Sequence, residues 1–324
     1  MKVLVTGSEG FIGSHLVEGL LAEGHSVRAL VQYNSRNDWG WLENLSENQR
    51  AGVEVVTGDV RDPFMVRGAV RGCEQVYHLA ALIAIPYSYR APREFVETNV
   101  SGTLNVMQAC LDEGVQRVIH TSTSEVYGTA VRVPIDEQHP LQGQSPYSAS
   151  KIGADKIAES FHLSFQLPLV TIRPFNTYGP RQSARAVIPT VIAQALQADA
   201  VKLGALTPVR DLNFVKDTVA GFVKAGRALD VIGETLNLAQ GRGVTIGELA
   251  NMIMQIMGCT KPIICDEARL RPESSEVMKL IGDNGKAARL LGWKPATSLE
   301  DGLRATIEWM SENPQYYKAN IYNV

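Results

Sequence analysis

Short apolar runs alternate with helix-like segments through the first half of this chain. The runs include KVLVTG, SVRALV, VEVVTGD, QVYHLAA and RVIHTSTS, and helical segments near residues 11–23, 64–70 and 93–113 lie between several of them. Strands that are apolar throughout and alternate with helices are typical of a parallel sheet with helices on both faces. The pattern therefore predicts a doubly wound α/β domain.

The pattern changes after LVTIRPFNTYGP, where a proline-bounded segment with several arginines begins. From there to the C-terminus the predicted elements are shorter. We therefore expect a first domain over residues 1–179, to which residues 212–239 return. A smaller C-terminal α/β lobe is expected over residues 180–211 and 240–324.

Two predicted helices carry apolar stripes at helical spacing. The stripe residues are Val96, Val100, Leu104 and Leu111 on the helix from Arg93, and Ile152, Ile157 and Phe161 on the helix after Pro146. Core packing is the expected role of both stripes, and a dimer interface is the alternative.

The composition is that of an ordinary globular protein, with 45% apolar residues, 20% charged residues and a formal net charge of -3. Nucleic acids and anionic membranes select a concentrated basic face, which this charge balance gives no reason to expect. The start, MKVLVTG, shows no charged leader or apolar signal core, and runs such as residues 76–85 are too short to cross a bilayer. We expect a cytoplasmic protein with a small-molecule partner.

The four cysteines form no CxxC pair and have no histidine at metal-binding spacing, so we expect buried free thiols and neither a disulfide nor a metal site. They are Cys73, Cys110, Cys259 and Cys265. The six histidines make no metal or triad pattern either. His78 and His120 fall within apolar strands, where core packing is the simplest role.

A glycine-rich turn joins the first strand to the first helix with the spacing GxxGxxG, at Gly7, Gly10 and Gly13. Glycines let the backbone turn tightly and approach a pyrophosphate, whose charge then lies at the positive end of the helix. A turn of this kind without a ligand is the alternative. Its place directly after a strand, in a chain with Asp59 after the third strand, favours a dinucleotide site.

The second strand ends in LVQYN, residues 30–34, which has no acid where a carboxylate usually binds the adenosine ribose. The nearest basic residue for an extra phosphate is Arg36. The sequence therefore leaves the choice between NAD and NADP open. Trp39 and Trp41, just beyond, are expected to pack a loop, with adenine contact as the alternative.

Tyr147 and Lys151 stand four residues apart, so on a helix they share one face. A neighbouring ammonium lowers the pKa of a phenol, which makes Tyr147 a candidate base for a hydroxyl proton. Glu125, in HTSTSEVYG, adds a second acid/base group that a plain alcohol oxidation does not need. A structural role is the alternative, because Ser122 and Glu125 fit the S-x-x-E capping box that begins helices.

Motifs spread over essentially the whole chain match one family: GSEGFIG, GDVRD, HLAA, the Tyr147 and Lys151 pair, RPFNTYGPRQ, RDLNFVKD and LLGWKP. The chain resembles the extended short-chain dehydrogenases that act on nucleotide sugars. The resemblance implies a Rossmann-like first domain with a tightly bound NAD or NADP that is regenerated in each cycle. It also implies a second lobe that binds a nucleoside diphosphate sugar, and a homodimer formed through the helices from Arg93 and Pro146.

The same resemblance assigns individual residues. Tyr147 is the base toward the sugar 4-hydroxyl, Lys151 is its partner and a ribose ligand, and Thr123 is a hydrogen-bond donor near that hydroxyl. Cofactor contacts are implied for Gly7, Gly10, Phe11, Ile12, Gly13, Asp59, Val60, Leu79, Ala80, Ala81, Tyr147, Lys151 and Pro174. Substrate contacts are implied for Ser88, Asn176, Arg181, Arg210 and Arg271. Guanidinium groups suit phosphate oxygens, although surface ion pairing is the alternative for the arginines and loop packing for Ser88.

The residue at position 125 distinguishes activities within this family. Simple 4-epimerases usually carry a small residue there and 4,6-dehydratases carry glutamate, so TSEVYG resembles a dehydratase signature. dTDP-glucose dehydratases have Asp before that glutamate, whereas here Ser124 takes its place, as in GDP-mannose dehydratases. Glu125 is then expected to serve as both base and acid, with Ser124 as a hydrogen-bonding helper. Decarboxylases also carry TSE, so a decarboxylase remains an alternative. A 4-epimerase and a dinucleotide-sensing module without chemistry are further alternatives.

A narrower resemblance rests on VQYNSRNDWGWL, ALIAIPYSY and GPRQSARAVIPT. These segments are similar to bacterial 4,6-dehydratases that process nucleotide-linked N-acetylglucosamine toward legionaminic-acid-type sugars. The expected function is therefore a hydro-lyase that converts a GDP- or UDP-linked hexose, N-acetylglucosamine first, to its 4-keto-6-deoxy form.

Overall fold

The computed structural model describes residues 1–319 and 321–322. The strands are Lys2–Thr6 (β1), Ser26–Gln32 (β2), Val53–Gly58 (β3), Gln75–His78 (β4), Arg117–Thr121 (β5), Leu169–Pro174 (β6), Asn176–Tyr178 (β7), Val201–Leu203 (β8), Val209–Phe214 (β9), Thr235–Leu238 (β10), Gly243–Thr245 (β11) and Ile263–Cys265 (β12).

The α-helices are Phe11–Ala22 (α1), Glu47–Arg50 (α2), Pro63–Val70 (α3), Ile85–Ser88 (α4), Pro92–Phe95 (α5), Gly102–Asp112 (α6), Pro146–Phe165 (α7), Val187–Gln197 (α8), Val215–Arg227 (α9), Ile246–Ile256 (α10), Gly285–Leu291 (α11) and Leu299–Glu312 (α12). A π turn, Val96–Ser101, joins α5 to α6, and 3₁₀-helices cover Gly40–Asn44, Ser124–Tyr127, Glu267–Arg269, Glu273–Ser275 and Pro314–Tyr316.

Seven parallel strands form the central sheet in the order β10-β6-β5-β4-β1-β2-β3. Successive side chains along a strand face opposite sides of the sheet. Val3 and Val5 of β1 therefore share an apolar cluster with Leu16 of α1 and Phe222 of α9, whereas Leu4 belongs to the cluster with α3, α6 and α7. The predicted doubly wound α/β fold is confirmed.

Two smaller sheets, β11-β9-β7 and β12-β8, lie in the second half of the chain. Strand β10 pairs with β6 at the edge of the central sheet, and α9 packs against α1. Both elements lie in residues 212–239, the segment expected to return to the first domain. Strand β7 pairs with β9 and so connects the two parts of the chain. The domain boundary at residue 179 stays a prediction.

The helix predicted near residues 93–113 is not a uniform α-helix. Its π turn adds a residue to one turn and rotates the side chains before it relative to those after it. Val96 is 51% exposed and Leu104 is 42% exposed. The expected core packing is therefore wrong for these two residues.

Other packing expectations met mixed outcomes. Cys73 and Cys110 are buried free thiols, but Cys259 is half-buried. Cys265 is exposed, because β12 lies in a two-stranded sheet with one strand neighbour. Trp41 packs edge-on against Trp309, in the packing role expected of it. Within the described ranges, the helices lack the combination of length and apolar character that crossing a membrane requires.

Candidate active site

One cavity of about 730 Å³ lies at the carboxyl ends of the central strands and extends into the C-terminal half of the chain. Ligands of open α/β sheets bind outside the carboxyl ends of the strands, where this cavity lies. Every residue that the sequence assigned to the cofactor lines it, together with residues at or directly after the ends of β1 to β6. The structure thus brings the predicted cofactor residues together, and their individual contacts stay predictions.

The glycine-rich turn borders the cavity at the end of β1. Gly7 has a φ of +67°, and a Cβ on Gly13 would stand 2.1 Å from the Gly7 carbonyl oxygen, so both positions require glycine. Gly10 is the N-cap of α1 and, having no side chain, leaves the first N–H groups of the helix open to an anion. The turn fits a pyrophosphate.

Asp59, directly after β3, is a second residue predicted to contact the cofactor, and it forms an ion pair at the cavity. Asp59 is bound by Arg61 at two points, with 3.0 Å between Oδ1 and Nε and 2.6 Å between Oδ2 and Nη2. The hydrogen bond from Arg61 lowers the pKa of Asp59. Both side chains line the cavity, so this end presents a carboxylate whose charge is already balanced.

The predicted catalytic residues reach the cavity from the 3₁₀-helix after β5 and from the start of α7. Thr123 is the N-cap of the 3₁₀-helix, and its Oγ1 accepts the Glu125 N–H at 3.2 Å. The Thr123 side chain is also near enough to the phenol of Tyr147 to act on its pKa in the lowering direction. Ser124 and Lys151 complete this group, and both are buried.

The capping-box hypothesis for Glu125 is wrong. The Ser122 hydroxyl donates to Asp155 at 2.7 Å, and the helix that contains Glu125 is capped by Thr123 instead. Glu125 is 8% exposed and lines the cavity. Within residues 1–319 and 321–322, nothing donates a hydrogen bond to its carboxylate. The carboxylate is therefore free to act on a ligand.

Burial dominates the protonation of Tyr147 and Lys151. It raises the pKa of Tyr147. Thr123 acts in the lowering direction, and the charge of Glu125 raises the pKa further. Burial lowers the pKa of Lys151 to about 8, while the Lys151 Nζ donates to the Thr121 carbonyl at 2.7 Å. The expected lowering of the Tyr147 pKa by Lys151 is wrong for the protein alone, because desolvation outweighs it and the ammonium is bound to the backbone.

A buried polar network that the sequence analysis missed lies behind Lys151. Asp155 accepts hydrogen bonds from His120 at 3.0 Å, Ser122 at 2.7 Å and Arg173 at 3.0 Å. Burial alone would raise the pKa of Asp155, but the hydrogen bond from His120 and the charges of His120, Arg173 and Lys151 lower it to about 2. The available signal was spacing, since Asp155 follows Lys151 by four residues and shares its helix face.

Two histidines interpreted as core residues are buried but do more than fill space. His120 pairs with Asp155, and His78 bridges the hydroxyls of Thr6 at 2.9 Å and Thr103 at 3.1 Å. Burial lowers the pKa of both imidazoles. They tie β4 and β5 to their neighbours beneath the cavity.

Three of the predicted substrate residues line the side of the cavity formed by the C-terminal half. Asn176 has a buried Oδ1 that lacks a hydrogen-bond partner among the described residues. Arg210 donates to the Val277 carbonyl at 2.7 Å and to Glu276 at 3.1 Å, and Arg271 lies 3.5 Å from the same carboxylate. Glu276 also lines the cavity, and no motif marked it, because its position depends on how the segment before α11 folds.

The structure does not bring Arg181 or Ser88 to the cavity. Arg181 has a φ of +72°, and its guanidinium pairs with Glu18 of α1 at 2.7 Å. Ser88 is fully buried and donates to the Ile85 carbonyl at 2.7 Å, within α4. The structure therefore corrects the expectation that these two residues contact the substrate. Arg181 forms an ion pair and Ser88 packs within α4, as the alternatives predicted.

Comparison with known proteins identifies the chain's relatives. The family model described as GDP-mannose 4,6 dehydratase matches residues 4–306. A UDP-glucose 4-epimerase of Mycolicibacterium smegmatis is 33% identical over 97% of this chain and 100% of its own length. A dTDP-glucose 4,6-dehydratase of an Actinoplanes species is 31% identical over 98% of this chain and 100% of its own.

A solved structure extends the likeness to three dimensions. The dTDP-glucose 4,6-dehydratase DesIV of Streptomyces venezuelae, solved with NAD bound, superposes with a TM-score of 0.88 at 31% identity, over 98% of this chain and 99% of that one. The glycine-rich turn, the Tyr147 and Lys151 pair and the full-length match agree with one another. The chain belongs to the GDP-mannose 4,6 dehydratase family of nucleotide-sugar enzymes, as its motifs predicted.

Proposed function

We propose that this chain is an NAD-dependent 4,6-dehydratase of a GDP- or UDP-linked hexose. The relatives leave dehydration and epimerisation open, since both names occur among them at similar identity. The observation that supports dehydration is the buried carboxylate of Glu125 at the cavity, near enough to Tyr147 for its charge to raise the pKa of the phenol. Epimerisation at carbon 4 leaves carbon 5 untouched and needs no such group.

N-acetylglucosamine is the first candidate sugar. Its support is the resemblance of VQYNSRNDWGWL, ALIAIPYSY and GPRQSARAVIPT to dehydratases of nucleotide-linked N-acetylglucosamine. The diphosphate would face Arg210 and Arg271, whose guanidinium groups line the cavity.

The side chains divide the chemistry by position. When bound, the nicotinamide supplies hydride acceptance from carbon 4 and hydride return to carbon 6. We assign the proton of the 4-hydroxyl to Tyr147, whose pKa is lowered by Thr123 against the larger effect of burial, and Lys151 adds a positive charge on the same face of α7. The ketone at carbon 4 acidifies carbon 5, whose proton Glu125 removes.

Glu125 then changes role from base to acid. It gives its proton to the departing 6-hydroxyl, which leaves as water and forms a double bond between carbons 5 and 6. Hydride addition at carbon 6 and protonation of carbon 5 by a solvent proton delivered through Glu125 complete the 4-keto-6-deoxy sugar, and Tyr147 releases to solvent the proton that it took from the 4-hydroxyl. Atoms and electrons balance with the cofactor in its starting state.

Turnover in deuterated water tests the proposal. The purified protein is incubated with GDP- and UDP-linked glucose, N-acetylglucosamine, mannose and glucuronate, and the products are analysed by mass spectrometry and NMR. We expect a 4-keto-6-deoxy product with deuterium at carbon 5 from one of the neutral hexoses. Carbon dioxide release from glucuronate, or an epimer without deuterium, would contradict dehydration.

Glu125→Gln tests the residue that separates the candidate activities. We expect the rate of water loss to fall by about 10²- to 10⁴-fold, the usual contribution of general acid–base catalysis. Carbon 4 oxidation should continue, so reduced nicotinamide should accumulate while NAD affinity stays unchanged. Glu159→Gln, on the exposed face of α7, is the matched control. Unchanged dehydration by Glu125→Gln would remove Glu125 from the mechanism.

We also propose that the chain forms a homodimer through the helical segment α5–α6 and helix α7. Exposed apolar side chains on these helices support this, namely Val96, Leu104 and Leu163. Leu104→Glu should then convert a dimer to a monomer in light scattering, and a monomeric parent protein would contradict the proposal.

A further inference from the structure

The end of the cavity next to β2 contains a carboxylate that does not come from β2. In sheets of this kind an acid at the end of the second strand accepts a hydrogen bond from the adenosine ribose. Here β2 ends at Gln32, followed by Tyr33. Glu9 lies instead inside the glycine-rich turn, between Gly7 and Gly10, and it lines the same cavity.

Hydrogen bonds place the Glu9 carboxylate at the end of β2. Its Oε1 accepts the backbone N–H of Gln32 at 2.9 Å. The Glu9 carbonyl oxygen accepts the Trp41 N–H at 3.1 Å. Gly40 packs so closely that a Cβ there would stand 2.7 Å from that oxygen. The loop after β2 therefore holds Glu9 in one orientation.

The second carboxylate oxygen of Glu9 has no partner among the described residues. Oε2 is buried and receives no hydrogen bond from the described residues. Burial raises the pKa of Glu9, although hydrogen bonds from Gln32 and its own N–H oppose this. A buried acceptor without a donor is costly, and a neutral hydroxyl on a ligand would supply that donor.

The charges around this end disfavour an added phosphate. Arg61 lines the cavity, but its guanidinium is bound at two points by Asp59. Arg36 is exposed and does not line the cavity. A phosphate on the ribose 2′ position would therefore meet the Glu9 carboxylate, and neither Arg36 nor Arg61 offers a free guanidinium to balance it.

We propose that Glu9 binds the 2′-hydroxyl of the adenosine ribose and makes this chain select NAD over NADP. The glycine-rich turn thus supplies the carboxylate that the second strand lacks. The inference rests on the proposed binding of a nicotinamide dinucleotide and assigns its specificity to one residue.

Titration calorimetry with NAD, NADP and NAD lacking the adenosine 2′-hydroxyl tests this without relying on turnover. The parent protein should bind NAD about tenfold to hundredfold more tightly than either analogue, which is the range expected of a hydrogen bond to a charged group. Glu9→Gln should lose most of that preference, by weaker NAD binding and tighter NADP binding. Glu43→Gln removes a charge from the same loop outside the cavity and should keep the preference.

Three outcomes separate the hypotheses. If the parent protein binds neither dinucleotide, the proposed function fails and this inference fails with it. If the parent selects NAD and Glu9→Gln selects it equally well, only the assignment to Glu9 is overturned. Should Glu9→Gln fail to fold, Glu9→Asp keeps the charge but withdraws it by one methylene. That variant should lose NAD affinity while still rejecting NADP, and unchanged NAD affinity would also overturn the assignment.

Discussion

The two sides of the cavity hold their charges in different ways. Behind Lys151, the carboxylate of Asp155 is bound by His120, Ser122 and Arg173. All of these side chains are buried and stand on β5, β6 or α7, or directly after β5. The charges of this side are thus fixed by regular elements of the central sheet and its covering helix.

On the opposite side the charges are held by a connecting segment. Arg210 and Arg271 share the carboxylate of Glu276, at 3.1 Å and 3.5 Å. Glu276 and Arg271 lie between β12 and α11, where the chain forms only short 3₁₀-helices. A diphosphate entering here offers the guanidinium groups a second anion, whereas no ligand has access to Asp155.

The contrast separates two uses of ion pairs in one protein. The buried charge of Asp155 always has the same partners in the folded protein, so its ion pairs contribute to folding. A charge on a connecting segment that faces the cavity has an internal partner only until a ligand competes for it. The buried network behind Lys151 should therefore respond to mutation mainly in stability, and the substrate side mainly in binding.

Asp155→Asn should have the largest effect on stability. It leaves the Arg173 charge buried without its carboxylate, and breaking a buried pair costs about 3–5 kcal/mol. Because Asp155 also raises the pKa of Lys151, the variant should lower that pKa further below about 8 and move the alkaline limit of activity to lower pH. Urea unfolding and a pH profile of kcat measure the two effects.

A surface pair of the same charge type is the control for that variant. Asp136→Asn removes the partner of Arg132, and both side chains are exposed. Exposed pairs contribute about 0–1 kcal/mol. Equal losses from Asp155→Asn and Asp136→Asn would show that the buried network adds nothing to folding.

Acid should weaken the catalytic side by a smaller amount. Burial raises the pKa of Asp155, but His120 and Arg173 outweigh burial and lower it from 3.8 to about 2 in the folded protein. This contributes stability that is present above pH 3.8 and is lost as the pH falls through about 2. The shift corresponds to about 2 kcal/mol.

The measurement is the free energy of unfolding of the parent protein and of Asp155→Asn between about pH 5 and pH 2. Asparagine does not titrate, so the difference between the two proteins should shrink by about 2 kcal/mol as the pH falls. A difference that stays constant would mean that the partners of Asp155 do not lower its pKa in the folded protein.

The same contrast explains how far the sequence could predict this protein. The doubly wound sheet, the glycine-rich turn and the positions of Tyr147 and Lys151 follow from local patterns, since strand and helix periods fix which residues share a face. Glu125 was predicted at the site from the resemblance of TSEVYG to a dehydratase signature. The π turn after α5 has no periodic signature, so the exposure of Leu104 was missed.

Partners far apart in the chain were not predictable. Glu276 meets Arg210 across 66 residues, and Arg181 pairs with Glu18 across 163, and neither pair is marked by a motif. An arginine in a motif has the same sequence signal whether it faces a ligand or an acid of its own chain. Glu9 illustrates the converse, because its carboxylate reaches the end of β2 only after the turn has folded.

Arg271→Gln should have the smallest effect on stability and a clear effect on binding. Arg271 is partly exposed and lies 3.5 Å from Glu276, so its loss should change the free energy of unfolding by about 1 kcal/mol or less. Loss of a charge-assisted contact to the diphosphate should weaken binding of UDP or GDP by about tenfold to hundredfold. Arg304→Gln, which breaks an exposed pair with Glu300 on α12, should match it in urea unfolding and leave nucleotide affinity unchanged. If Arg271→Gln instead destabilised the fold as Asp155→Asn does, while nucleotide affinity stayed constant, the division of the cavity into a folding side and a binding side would be wrong.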